Sequence, residues 1–396
     1  MKDSRHVVCL LLAAVIVLVP SIARANDPPT KIFVVGSGNG CPTATFSRIQ
    51  DAIDQVPAGS QIRICAGIYP ESIVITKDLT LRADMGAILM PSSVPANIAS
   101  LSLGNPLAPI VFAQSADNVV IESLTIDGSA VPITQCAPDL IGVLYQNASG
   151  TVKRSTIQNV KLVPSLGGCQ SGLGVFIQSG GGGASNVLVS ENQIYGFQKN
   201  GITANEIGTS VRVVDNTVTG LGPTTGTAQN GIQIGYGAQG QISHNFVAND
   251  VWSPCVSASQ CQWFATGILV EQSNGVRIEK NYVGGNQVNI LVNGDDASLE
   301  LNDVYGSIAL EGIQILGNGV LLKANRIVDS SEYAVSVHGN NVGVIDNDIV
   351  NAPIGIFKLN TATGFFQCGN SFHDVGQNFV DPAPVGAGAV SYIPYR

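Results

Sequence analysis

Three acidic residues in the second half of the chain could do chemistry together: Glu271, Asp295 and Asp296. Apolar and polar residues alternate before Glu271, which places its carboxylate on the outward side of a strand. The acidic turn that begins at Asn293 follows the next comparable strand. If the two strands stack, one aspartate lies roughly 5–9 Å from Glu271, a range that includes both carboxylate spacings of glycosidases. Such a pair could act as general acid and base or bind calcium, and the alternative is a solvated acidic turn.

Uncharged polar residues accompany these acids. Outward positions of the same strands form one row of Gln146, Gln178, Asn205, Glu271 and Asn293, and a second row of Leu144, Phe176, Thr203, Gln233, Leu269 and Leu291. Amides beside exposed aromatic groups suit a neutral or partly apolar ligand such as a sugar. We therefore predict that the substrate-binding residues are Gln178, Asn205, Gln233 and Asn293, with Trp252 and Trp263 as stacking walls. The alternative is that long turns cover the apolar row and leave no site.

The elements that position these residues repeat at a nearly fixed period. Asparagine marks the same place in eight repeats, at Asn192, Asn216, Asn245, Asn281, Asn302, Asn325, Asn347 and Asn370. The last four steps are 21, 23, 22 and 23 residues. Repeats of this length stack, and each buries the face of its neighbour.

Each repeat contains three short strands. Apolar residues stand two positions after and three positions before nearly every asparagine, and a column of β-branched residues follows the next turn, from Val143 to Ile356. The turns are too short for crossover helices, so the chain is predicted to be an all-β, single-stranded parallel β-helix solenoid. We expect each asparagine to turn the chain sharply in the left-handed conformation, with its amide stacked along the axis. The alternative is that the asparagines are scattered turn formers.

Four repeats are longer than the rest at one turn, which lies between the second and third strands. The long turns span residues 124–142, 155–174, 216–231 and 245–267. They contain both tryptophans and four of the cysteines. Because they occur at the same turn, they project from one edge of the solenoid.

From about residue 45 to 379, the sequence resembles right-handed parallel β-helix repeat proteins of the pectin-lyase-like superfamily. Besides the repeats, the segment from Phe46 through Ala66-Gly-Ile-Tyr to Leu81 is similar to the start of many exported β-helix proteins. Its amphipathic helix, with Phe46, Ile49, Ile53 and Val56 on one face, would cap the open end of the coil. The resemblance implies a right-handed coil and a substrate cleft along the third strand, walled by the long turns.

The resemblance does not assign a reaction, because one fold hosts many functions. The chain lacks the complete polygalacturonase constellation. It also lacks the motifs of pectate lyases, pectin methylesterases and mannuronan epimerases.

The N-terminus predicts export. Lys2 and Arg5 precede an apolar stretch at 7–19, and Ala23-Arg24-Ala25 fits a cleavage site. The predicted organisation is a signal peptide at 1–25, an extension with the capping helix at 26–60, the β-helix at 61–380 and a tail at 381–396. We therefore expect a secreted or periplasmic protein that has no membrane partner once the signal peptide is cleaved. The net charge of -9 disfavours nucleic acid as a partner.

Cysteine placement favours disulfides, which form in exported proteins. Cys9 lies in the predicted signal, and the expected pairs are Cys255 with Cys261, Cys136 with Cys169, and Cys41 with Cys65. This pairing leaves Cys368 free. Zinc binding is the alternative, but no paired C-x-x-C spacing supports it.

Together these features predict an exported carbohydrate-binding β-helix protein that acts on a polysaccharide as a lyase, hydrolase or epimerase. Two alternatives stay open. One is a non-catalytic envelope or surface recognition protein, and the other is a small-molecule isomerase or cyclase that uses the apolar row. No cofactor is expected apart from calcium at the carboxylates.

Overall fold

The computed structural model describes residues 31–37, 40–102, 104–255 and 261–381. Within them the chain winds into a solenoid with three strands in each coil, so the strands form three columns. Strand pairing between coils is parallel throughout these columns, as the repeat period predicted. The structure is therefore the predicted all-β parallel β-helix.

The first column is a 13-stranded sheet. Its strands are β1 (Ile32–Val35), β2 (Ser60–Ile64), β5 (Leu79–Ala83), β8 (Val119–Glu122), β11 (Gly150–Lys153), β14 (Ser185–Ser190), β17 (Thr209–Val214), β20 (Gln239–Ser243), β23 (Arg277–Glu279), β26 (Ser298–Glu300), β29 (Leu321–Lys323), β32 (Gly343–Ile345) and β34 (Phe366–Cys368).

The second and third columns belong to one 22-stranded sheet, because the last two long strands run through both. The second column contains β3 (Gly67–Tyr69), β6 (Ala87–Leu89), β9 (Thr125–Asp127), β12 (Thr156–Gln158), β15 (Gln193–Tyr195), β18 (Thr217–Thr224), β21 (Phe246–Trp252), β24 (Tyr282–Gly284), β27 (Asp303–Tyr305), β30 (Arg326–Val328), β33 (Asp348–Lys358) and β35 (Ser371–Val380). The third column contains β4 (Ile73–Ile75), β7 (Leu107–Gln114), β10 (Asp139–Gln146), β13 (Leu173–Gln178), β16 (Asn200–Asn205), β19 (Asn230–Gly235), β22 (Thr266–Glu271), β25 (Val288–Asn293), β28 (Ile313–Ile315) and β31 (Tyr333–Val337).

The core lies inside the coil and consists of stacked apolar side chains. In the third column, for example, Ile232, Ile268 and Ile290 are direct partners in successive coils, and all three are fully buried. Branched side chains pack well on such pleated surfaces, which explains why the inward columns are almost entirely β-branched.

The predicted amphipathic helix is present as α1 (Ile49–Gln55). It packs against β1, β2 and β4 and buries Ile49 and Ile53 in the core. The carboxylate of Glu71 accepts hydrogen bonds from the backbone N–H groups of Ile49 (2.7 Å) and Gln50 (3.1 Å). These bonds satisfy donors that a helix start otherwise leaves unpaired. Within the described segments, no helix is long and apolar enough to cross a bilayer.

The eight asparagines form one continuous ladder inside the coil. From Asn192 to Asn347, the side-chain Nδ2 and the backbone N–H of each asparagine both donate to Oδ1 of the next, over 2.9–3.0 Å. The oxygen of Asn192 also accepts from the backbone N–H of Ser155, so the ladder continues into a repeat that lacks asparagine. The expected amide stacking is confirmed.

The expected left-handed conformation of these asparagines is wrong. The residue directly before each asparagine adopts it instead, with φ between 53° and 68°, as at Glu191, Lys280 and Gly369. The corner therefore precedes the asparagine, and the turn directs the amide into the coil, where it reaches the next rung.

The structure contains the three expected disulfides, Cys41–Cys65, Cys136–Cys169 and Cys255–Cys261. The expectation that Cys368 is free is wrong, because Cys368 is also disulfide-bonded. Pairing by closeness in sequence matched six cysteines and left this one over by count alone. The predicted signal peptide and nearly all of the predicted tail lie outside the described residues.

Among the described residues, one carboxyl group is fully buried in the coil without a hydrogen-bond partner. Asp250 on β21 is fully buried, and neither of its carboxyl oxygens has a hydrogen-bond partner among the described residues. Gly231 leaves room for it, since a Cβ there would lie 2.8 Å from Oδ2. Burial raises the pKa of Asp250 well above its ordinary value, because it disfavours the charged form.

Asn281→Ala tests the ladder. It removes the acceptor of the two Asn245 donors and leaves the buried N–H of Asn245 unpaired. We expect the free energy of unfolding to fall by about 2–3 kcal/mol in urea denaturation. Asn186→Ala, at an exposed asparagine of β14, is the matched control and should change stability by less than about 0.5 kcal/mol. Equal stability of the two variants would contradict a structural role for the ladder.

Asp250→Asn tests the buried carboxyl group. The folded pKa of Asp250 is raised, so its contribution to stability is fully present below about pH 4 and is lost as the pH rises toward that pKa. Asparagine does not titrate, so the variant should lose less stability than the parent between about pH 4.5 and about pH 8. The free energy of unfolding at both pH values measures this.

Two other carboxyl groups with raised pKa values, one buried and one half-buried, also lower the stability of the protein as the pH rises. Burial raises the pKa of Asp139 to about 6, and burial together with the charge of Glu332 raises that of Glu311 to about 7. Both groups are present in the parent and in Asp250→Asn, so the difference between the two proteins reports Asp250 alone. Identical pH dependence would show that Asp250 titrates normally.

Candidate functional site

The third column presents both predicted rows on its outward face, in register. Asn205 pairs with Gln178 on one side and Gly235 on the other, and Glu271 pairs with Gly235 and Asn293. In the second row, Phe176, Thr203, Gln233, Leu269 and Leu291 are successive partners. Alternation along each strand was therefore enough to place these residues.

Loops close the apolar parts of this face at both ends. On the N-terminal side, a cluster separate from the core combines Leu107, Phe112, Ile141, Leu144, Leu173 and Phe176, with Ile98 packed against it. On the C-terminal side, a second cluster combines Val288, Leu291 and Leu310, with Cys261, Phe264, Leu269 and Leu316 packed against it. The alternative that loops cover the apolar row thus holds at both ends, but not in the middle.

Between the two clusters lies a cavity of about 570 Å³ that is lined mainly by polar residues. Its size falls within the range of small-molecule sites. The lining includes three of the predicted site residues, Asn205, Gln233 and Glu271. The other described lining residues are Ser100, Leu101, Ser102, Gly104, Asn105, Leu107, Asp139, Gln170, Leu173, Phe176, Lys199, Asn200, Thr203, Glu206, Asn230, Tyr236, Leu269 and Gln272.

Side-chain amides form a connected network on the floor of this cavity. Gln233 accepts from Nδ2 of Asn200 (3.0 Å) through Oε1 and donates to Oδ1 of Asn205 (3.2 Å) through Nε2. Asn200 also donates to the hydroxyl of Thr203 (2.9 Å) and accepts from Nδ2 of Asn230 (3.1 Å). The network orders the amide groups, so their remaining donors and acceptors are held in place for a ligand.

The carboxylate of Glu271 is held at one side of the cavity. Nδ2 of Asn293 donates to both of its oxygens, at 3.1 Å each, and Nε2 of Gln272 donates to Oε1 at 3.1 Å. Glu271 is 2% exposed, so these amide bonds compensate the burial of its charge. Asn293 therefore positions Glu271, and it does not itself line the cavity.

Two further ionisable groups of the cavity have shifted pKa values. Burial raises the pKa of Asp139 to about 6, although Nδ2 of Asn105 donates to its carboxylate over 3.1 Å. Burial lowers the pKa of Lys199 to about 8, and its Nζ donates to the carbonyl oxygen of Ala228 over 2.7 Å. Shifted groups that converge on a cavity are characteristic of functional sites.

Asp295 and Asp296 lie outside this cavity. Asp295 belongs to a second ladder at the turn after the third column. Its backbone N–H donates to Asn274 (2.9 Å), and its Oδ1 accepts from the backbone N–H (2.7 Å) and Nδ2 (3.0 Å) of Asn318. Asp296 is exposed and occupies the left-handed corner, with φ 56°. The structure thus assigns structural contacts to Asp295, and pairing with Glu271 stays a prediction.

Gln178 anchors a loop and does not line the cavity. It is fully buried, accepts from the backbone N–H of Leu101 (3.0 Å) and donates to the hydroxyls of Ser100 (3.3 Å) and Ser102 (3.0 Å). The loop residues 90–102 are thereby held over the N-terminal apolar cluster, and Ser100, Leu101 and Ser102 form one wall of the cavity.

The two tryptophans also lie away from the cavity. Trp252 is buried and its Nε1 donates to the carbonyl oxygen of Gly226 over 3.1 Å, so it joins two long turns. The carbonyl oxygen of Trp263 accepts from Nε2 of Gln287, which also donates to Cys255 Sγ. Both tryptophans therefore help to hold the long turns in place, and their predicted role as sugar-stacking walls stays untested.

Sequence reasoning missed Asp139, Lys199, Glu206 and Tyr236. Each stands at the end of a third-column strand or directly beside it, where alternation no longer predicts direction. The loop at 90–106 was missed as well, although its prolines, serines and asparagines interrupt the strand pattern and mark it as a loop. Among the described residues, no three acidic, histidine or cysteine side chains converge so that they could hold a metal ion.

Comparison with known proteins supports the fold. Residues 109–304 match the family model described as a right-handed β-helix region. The surface adhesin PfbA of Streptococcus pneumoniae superposes with a TM-score of 0.58 and 12% identity, over 83% of this chain and 86% of that one. For the GH136 lacto-N-biosidase from Eubacterium ramulus the TM-score is 0.58, with 11% identity over 88% and 68%. For the periplasmic alginate epimerase AlgG it is 0.52, with 13% identity over 84% and 83%.

No curated protein matches the chain by sequence. At identities this low, the superposed structures share a fold with this chain, and the fold by itself does not specify a function. The columns, the ladder and the family match agree with the resemblance noted from the repeats: the chain is a right-handed parallel β-helix repeat protein.

Proposed function

We propose that the cavity between the two apolar clusters is a glycan-binding site. The observation that carries this proposal is the amide network of Asn200, Gln233 and Asn205 on its floor, beside the carboxylate of Glu271. Amide donors and acceptors match the hydroxyl groups of sugars, and the carboxylate adds a strong acceptor. Leu269 and Phe176 at the two ends of the cavity provide apolar surface for the faces of sugar rings.

The structural neighbours support this proposal at a coarse level. Two of them are named for carbohydrate chemistry, as an alginate epimerase and a lacto-N-biosidase, and one is named as a surface adhesin. The similarity to an adhesin is also compatible with the alternative that this chain is a non-catalytic surface recognition protein. The proposed compartment is outside the cytoplasm, because the three disulfides form readily in an oxidising environment and residues 1–25 have the pattern of a signal peptide.

Glycan turnover is a second candidate function, and one further observation favours it. Glu206 and Glu271 both line the cavity, and the register separates their strands by two rungs, or about 10 Å of sheet spacing. This is close to the roughly 6.5–9.5 Å carboxyl separation of inverting glycosidases. Under this candidate Glu271 keeps its predicted catalytic role. The predicted partners Asp295 and Asp296 remain part of the hypothesis but lie outside the cavity.

Gln233→Ala tests the binding site. The variant removes the central amide of the network, and we expect it to weaken binding of the best ligand from a glycan panel at least about tenfold in isothermal titration calorimetry. Gln239→Ala is the matched control, because Gln239 is exposed on β20 in the other sheet. Equal affinities of the two variants would place binding elsewhere.

Glu271→Gln tests turnover. The amide keeps the shape of the side chain but cannot accept a proton, so product formation from the panel should fall to background while the circular dichroism spectrum stays unchanged. Asp295→Asn provides the comparison for the predicted partner. Retained turnover in Glu271→Gln would remove Glu271 from the chemistry, and loss of turnover in Asp295→Asn with an intact fold would restore the predicted pair.

A further inference from the structure

We propose that the cavity selects neutral glycans and rejects uronic-acid polymers. This inference rests on the glycan site proposed above and names its substrate class. It concerns the charges that line the cavity, which the shared fold does not specify. The structural resemblance to an alginate epimerase would suggest the opposite preference, so the two expectations can be separated by experiment.

The charged side chains of the cavity are mainly acidic. Among its described lining residues, three are carboxylates, Asp139, Glu206 and Glu271, and one is a lysine, Lys199. No arginine lines the described part of the cavity. Arginine is the residue that recognises carboxylates in a bidentate manner, so the lining lacks the usual means of binding a row of uronates.

Lys199 is poorly placed to change this balance. It directly precedes the start of β16, whereas Glu206 directly follows the end of that strand. The ammonium group already donates to the carbonyl oxygen of Ala228, and the backbone N–H of Lys199 bonds to Gly172, whose own N–H bonds to Leu140 beside Asp139. By backbone register the lysine is therefore about two rungs, or about 10 Å, from Asp139, and it stands at the opposite end of β16 from Glu206.

The acidic field does not hinder a neutral ligand. The groups on the floor are the amides of Asn200, Asn230 and Gln233 and the hydroxyl of Thr203, all of which are uncharged. Such groups bond to hydroxyls as donors and acceptors without the desolvation of a ligand charge. The net charge of the whole chain, -9, adds a long-range repulsion of polyanions.

Ligand pairs that share a sugar backbone and differ in charge at the C6 group test this inference. Galacturonan tetramers and their fully methyl-esterified forms share a backbone, and mannuronan and mannan tetramers form a second pair. We expect the neutral member of each binding pair to bind at least about tenfold more tightly in calorimetry at low ionic strength. Added salt should narrow this ratio, because it screens the repulsion.

The variant Glu206→Gln tests the same inference by changing the protein instead of the ligand. Removing this carboxylate from the cavity should raise the affinity for the uronate. The ratio of the neutral ligand's affinity to the uronate's affinity should therefore fall several-fold. Glu191→Gln is the matched control, because it removes the same charge at an exposed corner that does not line the cavity. The control should leave the ratio unchanged.

The outcomes separate this inference from the proposed function. A uronate that binds as tightly as its neutral partner, with Gln233→Ala still weakening the binding of both, would overturn the charge preference and keep the glycan site. The same neutral-to-uronate affinity ratio in Glu206→Gln and in Glu191→Gln would also overturn the charge preference. If no member of either pair and no glycan of the wider panel binds, the proposed function itself is wrong, and the inference falls with it.

Discussion

Every feature of this protein depends on the vertical register between coils. Parallel pairing places each residue directly on its counterpart in the next coil, and the asparagine ladder holds this register from inside. From Asn216 to Asn370, each ladder oxygen accepts two hydrogen bonds from the preceding asparagine, as Asn281 does from Asn245, so a slip by one residue would break the ladder and turn the inward columns outward. The register is thus maintained both by buried amides and by the apolar columns around them.

The same register also aligns the outward side chains into rows, and some parts of these rows are covered by loops while others line a cavity. On the two sides of the cavity the second outward row is apolar, at Leu144 and Phe176 and at Leu269 and Leu291, and loops fold down over these side chains to remove them from water. In the middle the outward residues are Thr203, Gln233 and Asn205, which need hydrogen-bond partners and which no apolar loop could cover without cost. The cavity exists because the polarity of the row changes along the solenoid.

The ionisable side chains of this cavity lie at or beside the ends of the strands. Asp139, Lys199 and Glu206 stand at the borders of third-column strands, where the chain turns and side chains can lean over the sheet. They determine the charge of the site, while the rows beneath determine its floor. A fold shared with an adhesin, a lacto-N-biosidase and an alginate epimerase can therefore carry different specificities, since the borders vary without disturbing the ladder.

The sequence by itself determined the repeat period, the three columns, the inward residues and the two outward rows that contain Asn205, Gln233 and Glu271. These features are local, because alternation and a fixed period encode them in each repeat. The tertiary structure decided the rest. Leu101 meets Gln178 across 77 residues of chain, Asp295 enters a turn ladder, and Trp252 becomes buried between two long turns. Such contacts join loops to distant coils, and no periodicity within a repeat specifies how an inserted loop folds back onto the face that it covers.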